Sequence, residues 1–251
     1  MQVTERFTNR VDDYQRYRPN YPQTLIDVLI SESKLKPLAN VADIGSGTGI
    51  FSERLLEQGL EVVGVEANQA MRQQAEDSLA GNRHFRSQSG RAEATELPDQ
   101  SIDLITAAQS FHWFCNQQTL FEFRRILKPG GWLALIWNQR DMESRFQQQY
   151  DQVLQRYATD YAAVSHHNLK PDAFEHFFAQ GQMRCYSFSN QQRFNFDQLM
   201  GRFRSSSYSP APASREYQQA EQCLLHLYKQ YQQNEYISFD YCCRMYLGPI
   251  S

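Results

Sequence analysis

The chain is short of the features that define several large functional classes. It has little charge imbalance: 28 acidic residues stand against 25 basic ones, for a net charge of −3 and a pI near 6.1. That balance draws it neither to nucleic acid nor to an anionic membrane surface, and neither partner is expected. No apolar run approaches the roughly 20 residues that cross a bilayer. The N-terminus lacks the basic-then-apolar order of a signal peptide. Its five cysteines show no C-x-x-C spacing, and the adjacent Cys242 and Cys243 fall in a strand-like run that sends them to opposite faces. The expectation is reduced thiols in a cytoplasmic protein with no metal site. Glycine is also scarce, at 12 of 251 residues, so three glycines within five positions stand out.

Those three lie in Val41-Ala42-Asp43-Ile44-Gly45-Ser46-Gly47-Thr48-Gly49. An apolar strand runs into a glycine loop. Ile50, Phe51, Leu55 and Leu56 then recur at helical spacing until Gly59. Glycine lets the backbone turn tightly and lets a ligand approach without meeting a Cβ. The free N–H groups that open the helix add a polar rim. A second buried strand ends in Glu66, about 20 residues past the loop, where folds of this kind place a carboxylate on ribose hydroxyls. Loop and acid together are more specific than either alone.

The rest of the chain supports an alternating α/β body. Leu25, Ile26, Leu29 and Ile30 mark a helix over 24–33, whereas residues 1–22 show no strong helical pattern. Asn68 is a candidate cap for a helix carrying Met71, Ala75 and Leu79. Strands are expected at 84–88, 102–108 and 132–137, with a helix from 117 to 127 closed by Pro129-Gly130-Gly131. Residues 40–138 thus read as a parallel sheet with helices on both sides. Beyond them, 141–161 is glutamine-rich and helical, and 171–179 is a short helix with a face of Phe174, Phe177 and Phe178. Strands at 183–189 and 235–247 are placed to pair antiparallel at one sheet edge, and 205–212 is a loop.

The glycine loop is not a dinucleotide fingerprint, because its third glycine arrives one residue early. It also lacks the lysine of a triphosphate-binding loop. Asp43-Ile44-Gly45-Ser46-Gly47-Thr48-Gly49, Glu66, Gly90-Arg91-Ala92-Glu93 and Leu127-Lys128-Pro129-Gly130-Gly131 together resemble a class I S-adenosylmethionine-dependent methyltransferase. The run of Tyr14, Tyr17-Arg18-Pro19 and Tyr21-Pro22, with Ser110-Phe111-His112-Trp113-Phe114, resembles a small-molecule branch that includes trans-aconitate methyltransferase-like proteins. The likeness covers residues 1–138. It implies a Rossmann-like, doubly wound α/β fold: a mainly parallel seven-stranded sheet, an antiparallel C-terminal edge strand and a helical cap. It implies S-adenosyl-L-methionine as cofactor and S-adenosyl-L-homocysteine as product. Asp43, Gly45, Ser46, Gly47, Thr48 and Gly49 would lie against the methionine part and ribose, with Glu66 on the ribose hydroxyls. Ala67 and Ala92 would meet the adenine and Gln109 the methionine, with Met71 a further cofactor contact. Arg91 stands where many relatives have an acid, so Glu93 becomes the candidate acceptor for the adenine amine.

A sulfonium methyl is already activated, so the protein's task is alignment and exclusion of water. A carboxylate acceptor, ionised at pH 7, needs no base. His112 is the obvious base candidate, but packing with Phe111, Trp113 and Phe114 as a pocket wall is the favoured reading. Tyr14, Tyr17, Arg18, Phe111, Trp113, Asn138, Arg204 and Tyr208 are the candidate lid and acceptor residues, with Arg202 and Ser207 beside them. The arginines suit a small carboxylic acid acceptor. The expected layout is one domain, with an arm and lid (1–35), a cofactor core (36–138), a helical cap (139–182) and C-terminal strands (183–251), as monomer or homodimer. The competing readings are a non-catalytic S-adenosylmethionine-binding protein and a nicotinamide-dependent oxidoreductase.

Overall fold

The computed structural model describes residues 10–161 and 170–251; residues 1–9 of the expected arm and 162–169 of the expected cap lie outside these. Seven strands make one sheet: β1 (Asn40–Ile44), β2 (Glu61–Val65), β3 (Phe85–Gln88), β4 (Ile102–Ala108), β5 (Leu127–Arg140), β6 (Arg184–Phe194) and β7 (Ile237–Pro249). Their order is β3-β2-β1-β4-β5-β7-β6. The first five are parallel, and β7 runs antiparallel between β5 and β6. The two late strands therefore pair at one side of the sheet, as their alternation suggests.

The body strands are apolar on both faces because both faces are covered. Val41 and Val62 pack against α2 (Gln23–Ser33) and α3 (Ile50–Leu56). Their neighbours Ala42, Ile44, Val63 and Val65 face the other way, into a core with Leu120, Phe123 and Ile126 of α5 (Gln117–Ile126). Asn68 caps α4 (Gln69–Leu79), its Oδ1 accepting from the Met71 N–H at 2.9 Å.

A third apolar core builds the cap from α6 (Arg145–Tyr157), α7 (Phe196–Arg204) and α8 (Arg215–Tyr231). One strand joins cap to body. Along a single face of β7, Ile237, Phe239 and Tyr241 enter the cap core, and Cys243, Met245 and Leu247 enter the body core.

Several elements differ from the sequence reading. Residues Val11–Tyr17 form a helix, α1, none of whose residues is buried. Its own pattern is weak because the cap holds it: Arg204 pairs with Asp13 at 2.8 Å, and Arg10 donates to the Arg204 carbonyl at 2.8 Å. Residues 171–179 hold two 3-10 turns, Pro171–Ala173 and Glu175–Phe177, in place of one helix. The Phe174 to Phe177 step matches three residues per turn, and both rings are fully buried. Strand β5 starts at Leu127, ahead of Pro129-Gly130-Gly131, and a register shift against β4 between Ile102 and Leu104 absorbs them. Strand β6 extends to Phe194 because every residue from Arg184 onward pairs with β7. Helix α7 escaped notice although Asn195 and Gln198 form a reciprocal capping box at its start.

Gly201 of α7 shows how closely the arm sits: a Cβ there would lie 2.1 Å from the Tyr17 ring. Alanine in an exposed helix would gain about 1 kcal/mol over glycine. Here overpacking costs about 1–3 kcal/mol and the arm must lift. Gly201→Ala is expected to speed proteolysis before residue 23 without raising Tm. A higher Tm with unchanged cleavage would show that the arm does not rest on this glycine.

Candidate functional site

From β1 the chain winds one way to β2 and β3 and the other way to β4 and β5. The loops leaving β1 and β4 therefore diverge and open a crevice at the carboxyl ends of the strands. Gly45 and Ser46 donate their N–H groups to the Val65 carbonyl at 2.8 and 3.3 Å, closing the loop over β2. Gly45 has φ +67°, and a Cβ on it would lie 2.6 Å from Ser110 Cβ. Only glycine lets the two loops meet here. Ser110 Oγ completes the junction with a 2.7 Å bond to the Ile44 carbonyl.

Two cavities follow, of about 200 and 110 Å³. The larger is lined by Gly45, Gly47, Glu66, Ala67, Met71, Ala92, Glu93 and Gln109, bringing together most of the expected cofactor residues. The smaller is lined by Arg18, Asp43, Gly45, Ser46, Gln109, His112, Asn138 and Tyr208. Tyr14, Gly45, Ala108, Gln109 and Trp113 line both, so the cavities adjoin through a shared wall. Gln109 has φ +59°, and its N–H donates to the Ile136 carbonyl at 2.8 Å, which turns the chain across the end of β5.

The charges are held in place. Glu66 accepts from the Gly47 N–H at 2.9 Å and the Asn68 N–H at 2.7 Å, one on each carboxylate oxygen. The Ala67 N–H is a third donor to the carboxylate, which keeps capacity for a ligand hydroxyl. Burial raises its pKa, against those N–H bonds. Asp43 is 1% exposed and accepts from Ser52 Oγ at 2.7 Å and Thr106 Oγ1 at 2.9 Å; burial pushes its pKa up to about 6. Glu122 fixes the loop bearing Ala92 and Glu93, accepting from Thr95 N–H and Oγ1 at 2.7 and 2.6 Å. Glu93 itself accepts from Asn116 Nδ2 at 3.0 Å. His112 rests 4.6 Å from the Trp113 ring, and burial lowers its pKa to about 4. At that value the imidazole is neutral at pH 7.

Five candidate residues do not line either cavity. Thr48 is 1% exposed, and Gly49 starts α3 with its Cβ position 3.0 Å from Leu79, so both serve loop packing. Phe111 is fully buried, edge-on to Phe114, Trp137, Phe174 and Phe177. Tyr17 lies on Gly201, and Arg204 is paired with Asp13. The small cavity takes Arg202 and Ser207, which the sequence reading set beside the acceptor candidates, and with them Tyr21, Arg140 and Tyr161. Arg140 was within reach of the sequence reading, since it ends a parallel strand on the ligand side of the sheet. Tyr161 carries no such signal.

The fold is Rossmann-like α/β, with a glycine-loop crevice at the carboxyl ends of its parallel strands. Residues 42–135 match the methyltransferase domain family. A methyltransferase-like protein of Schizosaccharomyces pombe is 32% identical over 155 residues, covering 61% of this chain and 59% of that protein. An uncharacterized methyltransferase of Mycobacterium tuberculosis is 37% identical over 135 residues, covering 54% and 53%. The chain thus spans just over half the length of these relatives. Among solved structures, a candidate type II methyltransferase from Anaeromyxobacter dehalogenans superposes with a TM-score of 0.69 at 20% identity, covering 93% of this chain and 98% of that one. A Geobacter sulfurreducens methyltransferase structure containing S-adenosylhomocysteine superposes with a TM-score of 0.52 at 13% identity, covering 99% and 98%. These structural likenesses are of fold.

Asp43 gives a pH test. An unfolded aspartate ionises near pH 4, and the folded one near 6. Between those values the folded state holds the extra proton, so this group makes stability fall as pH rises. The total is about 3 kcal/mol at about 1.4 kcal/mol per pH unit. Denaturant unfolding at pH 4, 5, 6 and 7 is expected to show a shallower decline for Asp43→Asn than for the wild type. Parallel curves would mean that Asp43 ionises normally.

Proposed function

We propose that this chain is an S-adenosylmethionine-dependent methyltransferase that methylates an oxygen of a small carboxylic acid, in the cytoplasm. One observation carries the reading: a glycine-loop cavity holding Glu66 adjoins, across Gln109 and Tyr14, a second cavity lined by arginines. The residues suit the cofactor. Glu66 would accept from the ribose hydroxyls, Ala92 would meet the adenine, and Asp43 lies beneath the glycine loop that would hold the methionine part. The bound cofactor would supply a methyl group already activated on a sulfonium.

The chain's own part is to hold and enclose. Tyr14 and Trp113 wall both cavities and exclude water from the junction. An ionised carboxylate gives up no proton on methylation, which agrees with a neutral His112 in the wall. A Coxiella burnetii malonyl-[acyl-carrier protein] O-methyltransferase, 34% identical over 118 residues and covering 45% of this chain and 39% of that protein, supports an oxygen acceptor. The five cysteines are free thiols, which supports a reducing compartment.

Thermal unfolding with S-adenosylhomocysteine, S-adenosylmethionine and NAD tests the cofactor. At about 100 times Kd a ligand stabilises by roughly 2.7 kcal/mol, or about 5–10 °C for a chain of this size. The two adenosyl ligands are expected to raise Tm and NAD to leave it unchanged; a rise with NAD alone would point to an oxidoreductase. Glu66→Ala is expected to weaken S-adenosylhomocysteine binding by about 1–3 kcal/mol, some 5- to 150-fold in Kd by calorimetry. Methylation of only amines or carbons across an acceptor panel would refute the carboxylate.

A further inference from the structure

Three asparagines meet where the arm leaves the body. Asn138 of β5 is 4% exposed and lines the small cavity. Asn190 of β6 lines neither the small cavity nor the large one. Asn20 belongs to the arm, between Pro19 and Tyr21 of the small cavity's wall. An asparagine side chain has one end that accepts and one that donates, and its neighbours decide which way it faces. Backbone groups decide it for Asn190. Its Oδ1 accepts from the Gln191 N–H at 2.9 Å, and its Nδ2 donates to the Asn20 carbonyl at 2.7 Å. A backbone N–H only donates and a carbonyl only accepts, so the orientation is unique. The second hydrogen of that Nδ2 goes to Asn138 Oδ1 at 2.9 Å. This bond fixes Asn138 in turn: its oxygen is turned to Asn190, and its Nδ2 faces the Asn20 carbonyl at 3.4 Å. A reversed Asn138 would set nitrogen against nitrogen and oxygen against oxygen. Among the described residues that long bond is the only one its Nδ2 makes, so one N–H is left over in the buried wall. Gln109, which lines both cavities, is joined to the same residue, donating from Nε2 to the Asn138 carbonyl at 3.4 Å.

We propose that Asn190 is a positioning residue: one amide group latches the arm over the cavities and turns an N–H of Asn138 toward the acceptor. The latch follows from the hydrogen bonds alone; that an acceptor meets the N–H rests on the methyltransferase reading above. With the arm down, both hydrogens of Asn190 Nδ2 are bound and Asn138 has one orientation. With the arm lifted, Asn190 keeps one backbone anchor of two, and Asn138 loses the carbonyl that its Nδ2 faces. The small cavity therefore holds a set N–H donor only while Tyr14 and Arg18 of the arm also wall it. Donor and cover arrive together, so the wall is ordered for an acceptor oxygen only when water is shut out. An amide does this without adding a charge to the wall. Asn190 is a positioning residue and not a catalytic one, because it acts through Asn138 and Asn20.

Two readouts on the full chain test the latch. The first is arm opening. Without ligand, Asn190→Ala is expected to speed proteolysis before residue 23 by about fivefold, the effect of one neutral hydrogen bond lost. Stopped-flow fluorescence is expected to show S-adenosylhomocysteine leaving faster by a similar factor, with Tm unchanged. Gln191→Ala, on the opposite face of β6, is expected to change neither rate, and Asn190→Gln to restore part of both. The second readout is the side-chain amide signals in the proton–nitrogen NMR spectrum, assigned with Asn138→Ala and Asn190→Ala. Both Asn190 amide hydrogens are expected to exchange with water about tenfold more slowly than those of a free asparagine. Asn190→Ala is expected to speed exchange at Asn138, which a loss of packing elsewhere would not do. The wild-type spectrum decides if Asn190→Ala does not fold. Fast exchange at Asn190 in the wild type, or wild-type rates of arm cleavage and ligand release in a folded Asn190→Ala, would overturn the latch and leave the enzyme reading standing. Failure of S-adenosylhomocysteine to bind the wild type would overturn the enzyme reading, and arm cleavage without ligand would still decide the latch.

Discussion

Asp43 ties together the three elements that meet beneath the crevice. Its carboxylate lies at the end of β1 and takes hydroxyl bonds from Ser52 of α3 and Thr106 of β4. Those bonds fix the helix behind the glycine loop and the strand beside it. The Gly45–Ser110 junction depends on the same spacing, since β1 and β4 are in register with Asp43 opposite Thr106. A carboxylate so buried ionises only because two hydroxyls point at it, and its proton affinity stays high. The same group that braces the loop therefore also sets the charge of the small cavity's floor.

The second constraint is mechanical. The cap does not hang from one linker. Strand β7 passes from the cap core into the body core along one face, and β6 pairs with it over its whole length. The arm is then fastened across the gap. The carbonyl of Asn20 accepts from Asn190 of β6 at 2.7 Å, and Arg10 and Asp13 hold α1 to α7. Arm, cap and body each contribute an arginine to the small cavity. Its charge is thus a property of their assembly and of no single segment.

The body was legible because its signals are local. Strand, glycine loop and helix occupy consecutive residues, and burial on both faces leaves unbroken apolar runs such as 62–65 and 133–137. Glu66 was found by its distance from Gly45. The arm and cap were less legible because their signals lie far apart in the chain. Helix α1 buries none of its residues fully and owes its order to α7, nearly 190 residues away. Arg204 and Arg202 look alike in sequence. One step of two residues around α7 puts Arg204 on Asp13 at the surface and Arg202 in the cavity. Phe111 and Trp113 likewise part, one into the core and one into the cavity wall.

This division bears on how specificity is encoded. The matched family segment, 42–135, contains every expected contact to the adenosyl group, from Asp43 through Glu66 and Ala92 to Gln109. The charged residues proposed for the acceptor fall outside it: Arg18 before, and Arg140 and Arg202 after, with Tyr161 and Tyr208. On the proposed reading, backbone geometry serves the cofactor side, where the glycines and N–H groups of the loop would meet the ligand's shape and hydroxyls. Side-chain charge would serve the acceptor side, where a single substitution replaces a guanidinium. On that reading the body would hold one cofactor while changes in the arm and cap suited a different acceptor. On the proposed reading the acceptor is set by residues that lie outside the matched family segment.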